Sequence, residues 1–251
     1  MGKKSVTLSA LCATLFWVGA VYADPPMPPS IDWRVEGKVT PVKDQGETCD
    51  SSWAFSATGV LEGWNAITTG KLESLSEQEL LDCVRLPLVD GCDAKQAGAV
   101  LLYVGLIYAM QNGLNSEAEY PYTGVVGKCD PGTSVIPKPA GIFGIPLGSE
   151  ELLAKQVEQQ PVAVTLDGSW YPSYKQGVFS GPCGRQPNAS ALIVGLGEED
   201  GVPYWLVKNS LGPVWGEEGF FRIVRGRDEC GIADWAVVPE LAPPPSPWPG
   251  L

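Results

Sequence analysis

The sequence predicts an α+β protein of two lobes, a helical lobe followed by an antiparallel β lobe, with a cleft between them. Three observations carry that prediction. Apolar residues recur at helical spacing in the first half of the chain. Short runs rich in valine, isoleucine and aromatic residues, separated by glycine, proline and acidic turns, fill the second half. Cysteines are spread across both halves in a number that suits disulfide staples.

The amino terminus reads as a secretory signal over residues 1–23. Lys3 and Lys4 form a basic start, an apolar run extends from Val6 to Val21, and Val21-Tyr22-Ala23 offers a small-residue cleavage site. A membrane anchor is the alternative, but the run is short for a span of ~20 residues and small residues interrupt it. Residues 24–30 form a short proline-rich leader. Asp50-Ser51-Ser52 supplies capping residues for a helix that continues through Trp64 and stops at Gly70. Ser76 and Glu79 form a capping box for a second helix through Cys83. The apolar stretch Ala97 to Met110, ending at Asn112-Gly113, predicts a buried helix. These elements make a mainly helical lobe over 31–136. Pro161–Leu166, Ala191–Val194, Tyr204–Lys208 and Gly219–Val224 read as strands of a mainly β lobe over 137–240. Residues 241–251 are a proline-rich, loose or extended tail.

Composition narrows the function. The formal net charge is −12, and loss of Lys3 and Lys4 with the signal makes it −14. So acidic a surface, with no basic cluster, excludes nucleic acid and anionic lipid as partners. Solubility explains the acidity better than a calcium site, because no Asp-rich loop has a calcium-binding spacing. Cys12 leaves with the signal. Cys49, Cys83, Cys92, Cys129, Cys183 and Cys230 remain, an even set suited to an oxidising compartment but open to 15 pairings. A zinc site is the rival use, and a chain with no histidine and no CxxC pair argues against it. No metal and no cofactor is expected.

The ordered motifs Pro-Val-Lys-Asp-Gln-Gly, Trp-Ala-Phe-Ser, Ser-Glu-Gln-Glu-Leu-Leu-Asp-Cys, Tyr-Pro-Tyr-Thr-Gly, Lys-Asn-Ser-x-Gly-x-x-Trp-Gly-Glu-x-Gly and Cys-Gly-Ile-Ala resemble the papain-like cysteine proteases from Ile31 to about Pro239. The resemblance implies the papain-like two-lobed fold, with a β lobe that is barrel-like. It also implies the pairings Cys49–Cys92, Cys83–Cys129 and Cys183–Cys230. A family propeptide has no room in the short leader.

The resemblance also places the site. Ser52 stands where the family has its nucleophilic cysteine, and Ala189 where it has its histidine. Gln45 matches the residue that helps form the oxyanion hole, and Asn209 the one that orients the histidine. Leu211 replaces a shielding tryptophan, while Trp215 remains. Ala94 and Lys95 replace glycines along the substrate cleft, which puts side chains where backbone access is needed. Trp235 falls at the floor of the main specificity pocket, with Thr165 on another wall. The indole either plugs that pocket or swings outward as lobe core. Asn188-Ala189-Ser190 is a glycosylation sequon at the cleft rim, and a chance tripeptide is the alternative reading.

A hydroxyl is a far weaker nucleophile than a thiolate, and it needs a base to take its proton. The sequence therefore predicts a secreted, catalytically inactive family homologue, not an enzyme. Its expected role is to bind protease inhibitors, peptides or another protein. A weak serine-type peptidase using Ser52 is the alternative, and a storage or allergen-like protein a further one. The secretory pathway leads it to the cell exterior or to a vacuole- or lysosome-like compartment.

Overall fold

A computed structural model describes residues 2, 30–87, 89, 91–93 and 97–241. The signal, the leader up to residue 29, Ala94, Lys95 and the tail beyond Leu241 lie outside the described residues.

After a two-residue strand come three helices: α1 (Ser52–Thr69), α2 (Glu77–Cys83) and α3 (Gly98–Asn112). Helix α1 buries most of its length, and Gly70 ends it in the left-handed conformation that glycine adopts without a Cβ clash. Its amino terminus departs from expectation. Ser51 is the N-cap but makes no side-chain cap, because its hydroxyl is engaged 2.6 Å from the Tyr122 hydroxyl. The capping box of α2 is half made. Ser76 Oγ accepts from Glu79 N at 2.9 Å, but the Glu79 carboxylate turns to Asn115 N and Tyr108 Oη instead of reaching back.

Strands β1 (Ile31–Asp32), β2 (Ile142–Ile145), β3 (Val162–Leu166), β4 (Val178–Phe179), β5 (Ala189–Glu199), β6 (Val202–Lys208), β7 (Phe220–Val224) and β8 (Trp235–Pro239) form one sheet. A fourth helix, α4 (Glu150–Val157), precedes β3. The order is β2-β8-β3-β5-β6-β7-β4, antiparallel except for the β4–β7 pair. That order corrects the barrel-like expectation. The sheet is open, with β2 and β4 at opposite ends and no pairing between them. Strand β1 crosses from the first half of the chain to pair with β5 at Gly195, where the Ile31 carbonyl lies too close for any side chain.

Helix α1 lies against β5 so tightly that a Cβ on Gly59 would come within 2.9 Å of Leu192 Cδ2. The contact brings the first residue of α1 beside the first residues of β5. Trp53, fully buried, anchors the same end by donating to the Gly91 carbonyl at 2.8 Å. The bridges Cys49–Cys92, Cys83–Cys129 and Cys183–Cys230 are all formed.

Candidate active site

Ser52 is the first residue of α1, so its backbone N–H has no partner within the helix. Its side chain is nearly buried, and its Oγ accepts from the Ser190 N–H on β5 at 3.1 Å. Ala189 precedes Ser190 and opens β5. Gln45 arrives on the loop before α1 and is held from three directions. Its N–H donates to the Ser210 carbonyl at 2.9 Å, its Oε1 accepts from Ser210 Oγ at 2.7 Å, and its carbonyl accepts from Tyr122 Oη at 3.0 Å. With Oε1 engaged, the Nε2 hydrogens are left for the cleft. Gln45, Ser52, Asn188, Ala189, Asn209 and Leu211 line one open cavity of about 680 Å³ between the helical elements and the sheet.

Asn209 is the uneven member. Its Oδ1 accepts from Ser210 N at 2.9 Å, while its Nδ2 is buried without a partner. An unpaired buried donor costs about 1–3 kcal/mol, so this amide is held by its single bond through Oδ1 and by its surroundings. Asn188 does not project freely from the rim, because its Oδ1 accepts from Gly168 N at 2.7 Å. Trp215 packs edge-on against Tyr171 and Phe221 behind the cleft.

Thr165 and Trp235 are cross-strand partners and line a second cavity of about 370 Å³ beside the cleft. Trp235 is 50% exposed and so is not lobe core, whereas Thr165 is fully buried within hydrogen-bond range of Ser190 Oγ.

Sequence reasoning missed a set of buried charges beneath the site. Lys43 Nζ bonds to Glu62 at 3.1 Å and to Glu77 at 2.7 Å. Lys208 Nζ donates to Thr40 Oγ1 at 2.9 Å, which in turn donates to Glu62 Oε2 at 2.5 Å. Burial acts on all four groups. It pushes Glu77 up, and the neighbouring Glu62 adds to that rise against the pull of Lys43. Glu62 is also desolvated, yet Lys43 and Lys208 together hold it below the usual carboxylate range. Burial lowers Lys208, while for Lys43 the two carboxylates outweigh burial and raise it. A small cavity of about 20 Å³, room for one water, touches Ser52, Asn209 and all four charges. Among the described residues, the compact group of possible metal ligands is Cys183, Glu229 and Cys230, whose two sulfurs are joined as a disulfide. No helix among the described residues is long and apolar enough to cross a membrane.

The chain matches a family model described as papain family cysteine protease over residues 27–240. It is 42% identical over 222 residues to "Germination-specific cysteine protease 1" of Arabidopsis thaliana, covering 85% of this chain and 57% of the relative. A similar match, 42% identical over 222 residues, is the "KDEL-tailed cysteine endopeptidase CEP2" of Arabidopsis thaliana, with 85% of this chain and 60% of the relative covered. The chain thus spans about 57–60% of the length of these curated relatives. Among solved structures it resembles bromelain protease from Ananas comosus in complex with the E64 inhibitor. That match has 36% identity and a TM-score of 0.74, covering 86% of this chain and 100% of that one.

These relatives overturn the expectation of a catalytically inactive, non-enzymatic homologue, since proteins 42% identical over most of the chain bear the names of cysteine proteases. Physically, the expectation equated the change of nucleophile at Ser52 and the lack of a histidine base at Ala189 with loss of peptidase activity. The weaker nucleophilicity of a hydroxyl bears on rate, and the cleft with its donors is still built.

Proposed function

Because this chain belongs to the papain family of cysteine proteases, we propose that it acts as a slow peptidase in which Ser52 takes the nucleophile's place. The observation that carries this reading is the shared cavity: Ser52 and the fixed Gln45 amide line the same open cleft. An extended peptide lies between α1 and the sheet with its carbonyl carbon over Ser52. As Oγ bonds to that carbon, negative charge builds on the carbonyl oxygen. The Ser52 N–H and Gln45 Nε2 are the donors available to it. The chain contains no histidine, so hydroxide from solvent takes the Ser52 proton. The C–N bond then breaks, the amine leaves with a proton from water, and a second hydroxide releases the acyl group from Oγ. Oxyanion donors and substrate binding without the full catalytic set retain about 10³–10⁴-fold acceleration over water.

Hydrolysis of a fluorogenic peptide across pH 6–10 tests the reading. The rate is expected to rise about tenfold per pH unit, as hydroxide dependence requires, and to vanish in Ser52→Ala. A flat profile, or turnover that survives Ser52→Ala, contradicts it. The three disulfides support passage through an oxidising secretory route.

A further inference from the structure

The small cavity beneath Ser52 collects two buried polar atoms that no protein group satisfies. Asn209 Nδ2, a donor, and Glu77 Oε2, an acceptor, are each buried without a partner, and both residues line this space of about 20 Å³. Both residues are more than nine-tenths buried. Left dry, each atom would carry the full penalty of a stranded polar group. Two neighbours on the same cavity wall have bonding capacity to spare. Lys208 Nζ carries three hydrogens and gives one to Thr40 Oγ1 at 2.9 Å. Ser52 Oγ accepts from the Ser190 N–H at 3.1 Å and has a second lone pair. A space this size holds one water, and a buried water needs two to four polar partners. The surrounding charges, Lys43 and Lys208 against Glu62 and Glu77, cancel when all are ionised, which favours a neutral occupant over an ion.

We propose that this cavity is a one-water site joining Asn209 and Glu77 to Ser52, which makes Asn209 a positioning residue for the Ser52 hydroxyl. The water accepts from Asn209 Nδ2 and Lys208 Nζ. It donates one hydrogen to Glu77 Oε2 and the other to Ser52 Oγ. With both lone pairs of Oγ taken, by the water and by Ser190 N, the Ser52 hydrogen turns to the open cleft, where hydroxide reaches it. Removal of that proton leaves three lone pairs on Oγ. Two stay held by donors already in place, and the third faces the substrate carbonyl carbon. Burial pushes Glu77 up to about 8, so at pH 9 its Oε2 is ionised and accepts.

The positioning role rests on the attack by Ser52 proposed above, whereas the water itself does not, so the test has two arms. A high-resolution crystal structure of wild type at pH 9 should show one ordered water within about 2.7–3.2 Å of Asn209 Nδ2, Glu77 Oε2 and Ser52 Oγ. A dry cavity, or a water out of reach of Ser52 Oγ, overturns the proposal, and this arm needs no variant. In the second arm a fluorophosphonate labels wild type and Asn209→Leu at pH 9. The maximal labelling rate should fall about tenfold in the variant, with the half-saturating probe concentration unchanged. A direct oxyanion donor would cost ~10²–10³, and Asn209 acts only through the water. Equal maximal rates overturn the positioning role, whatever the half-saturation. Wild type that takes no label while the water is in place breaks the peptidase reading and leaves the water site standing.

Discussion

The cleft and the charge cluster beneath it occupy the same interface between α1 and the sheet, yet they differ in completeness. In the cluster, Glu62, Glu77 and Lys208 are buried with a partly buried Lys43, which alone bridges both carboxylates. In the cleft, Gln45 Oε1, Ser51 and Tyr122 are engaged on the helix side with Gln45 Nε2 left over, while the sheet side leaves Asn209 Nδ2 without a partner. Removing one member of the cluster would strand a charge in the interior, so the fold itself holds that set together. Ser52 and Ala189 are small neutral side chains whose identity leaves no charge exposed or buried. The fold depends on the lower site, and the upper one is free to vary in chemistry.

The largest effect should come from completing the cleft. The double variant Ser52→Cys with Ala189→His supplies a thiol and a base together, and gives Asn209 a partner. Peptide turnover near neutral pH is expected to rise by at least about 10³-fold over wild type. Either single variant should gain far less, since the two groups act as a unit. Failure of the double variant would mean that something other than nucleophile and base closes the cleft.

Breaking the cluster comes next. Lys43→Met leaves Glu62 and Glu77 buried against each other and should cost about 3–5 kcal/mol in urea unfolding. A loss below about 1 kcal/mol, the range of exposed pairs, would show the interface to be wet and the contrast with the cleft unfounded.

A smaller effect is expected from pH. The folded chain holds the Glu77 proton more tightly than the unfolded chain does. Its contribution is therefore full below the ordinary carboxylate pKa, and is lost as pH climbs from there through the raised folded value. The urea midpoint of wild type should fall over that window relative to Glu77→Gln, which cannot ionise. Parallel midpoints for the two proteins would remove Glu77 from the account.

The smallest effect is on the helix side of the cleft. Tyr122→Phe removes the hydroxyl that contacts both Ser51 Oγ and the Gln45 carbonyl. It should cost about 1 kcal/mol of stability, and slow turnover by freeing Gln45. A stability loss with no change in rate would separate Tyr122 from the positioning of the oxyanion donors.

The elements legible in the sequence were those with a dense or helically spaced set of apolar residues. Trp53, Val60 and Leu61 mark α1, and the unbroken apolar face of Val162–Leu166 marks β3. Strand β2 and helix α4 were missed because neither carries such a pattern: Phe143 is exposed at the sheet edge, and three of the eight residues of α4 are charged. Motif order named Gln45, Ser52, Ala189 and Asn209, and the fold brings all four to one cavity. Glu62, Glu77, Lys43 and Lys208 were not. A charged residue in a sequence reads as surface until its counter-ion is seen, and here that is 34 residues away for Lys43 and Glu77 and far more distant for Lys208 and Glu62. The open end of the sheet was equally hidden, because strand order is set by long-range pairing that local composition does not encode.

The most direct measurement is covalent capture of the nucleophile. Wild type incubated with a fluorophosphonate at pH 9 should gain one adduct by intact mass. Peptide mapping should place it on Ser52, and inhibition of peptide hydrolysis should keep pace with labelling. An adduct on another residue, or hydrolysis undiminished once Ser52 is fully modified, would contradict the assignment of Ser52 as the attacking group.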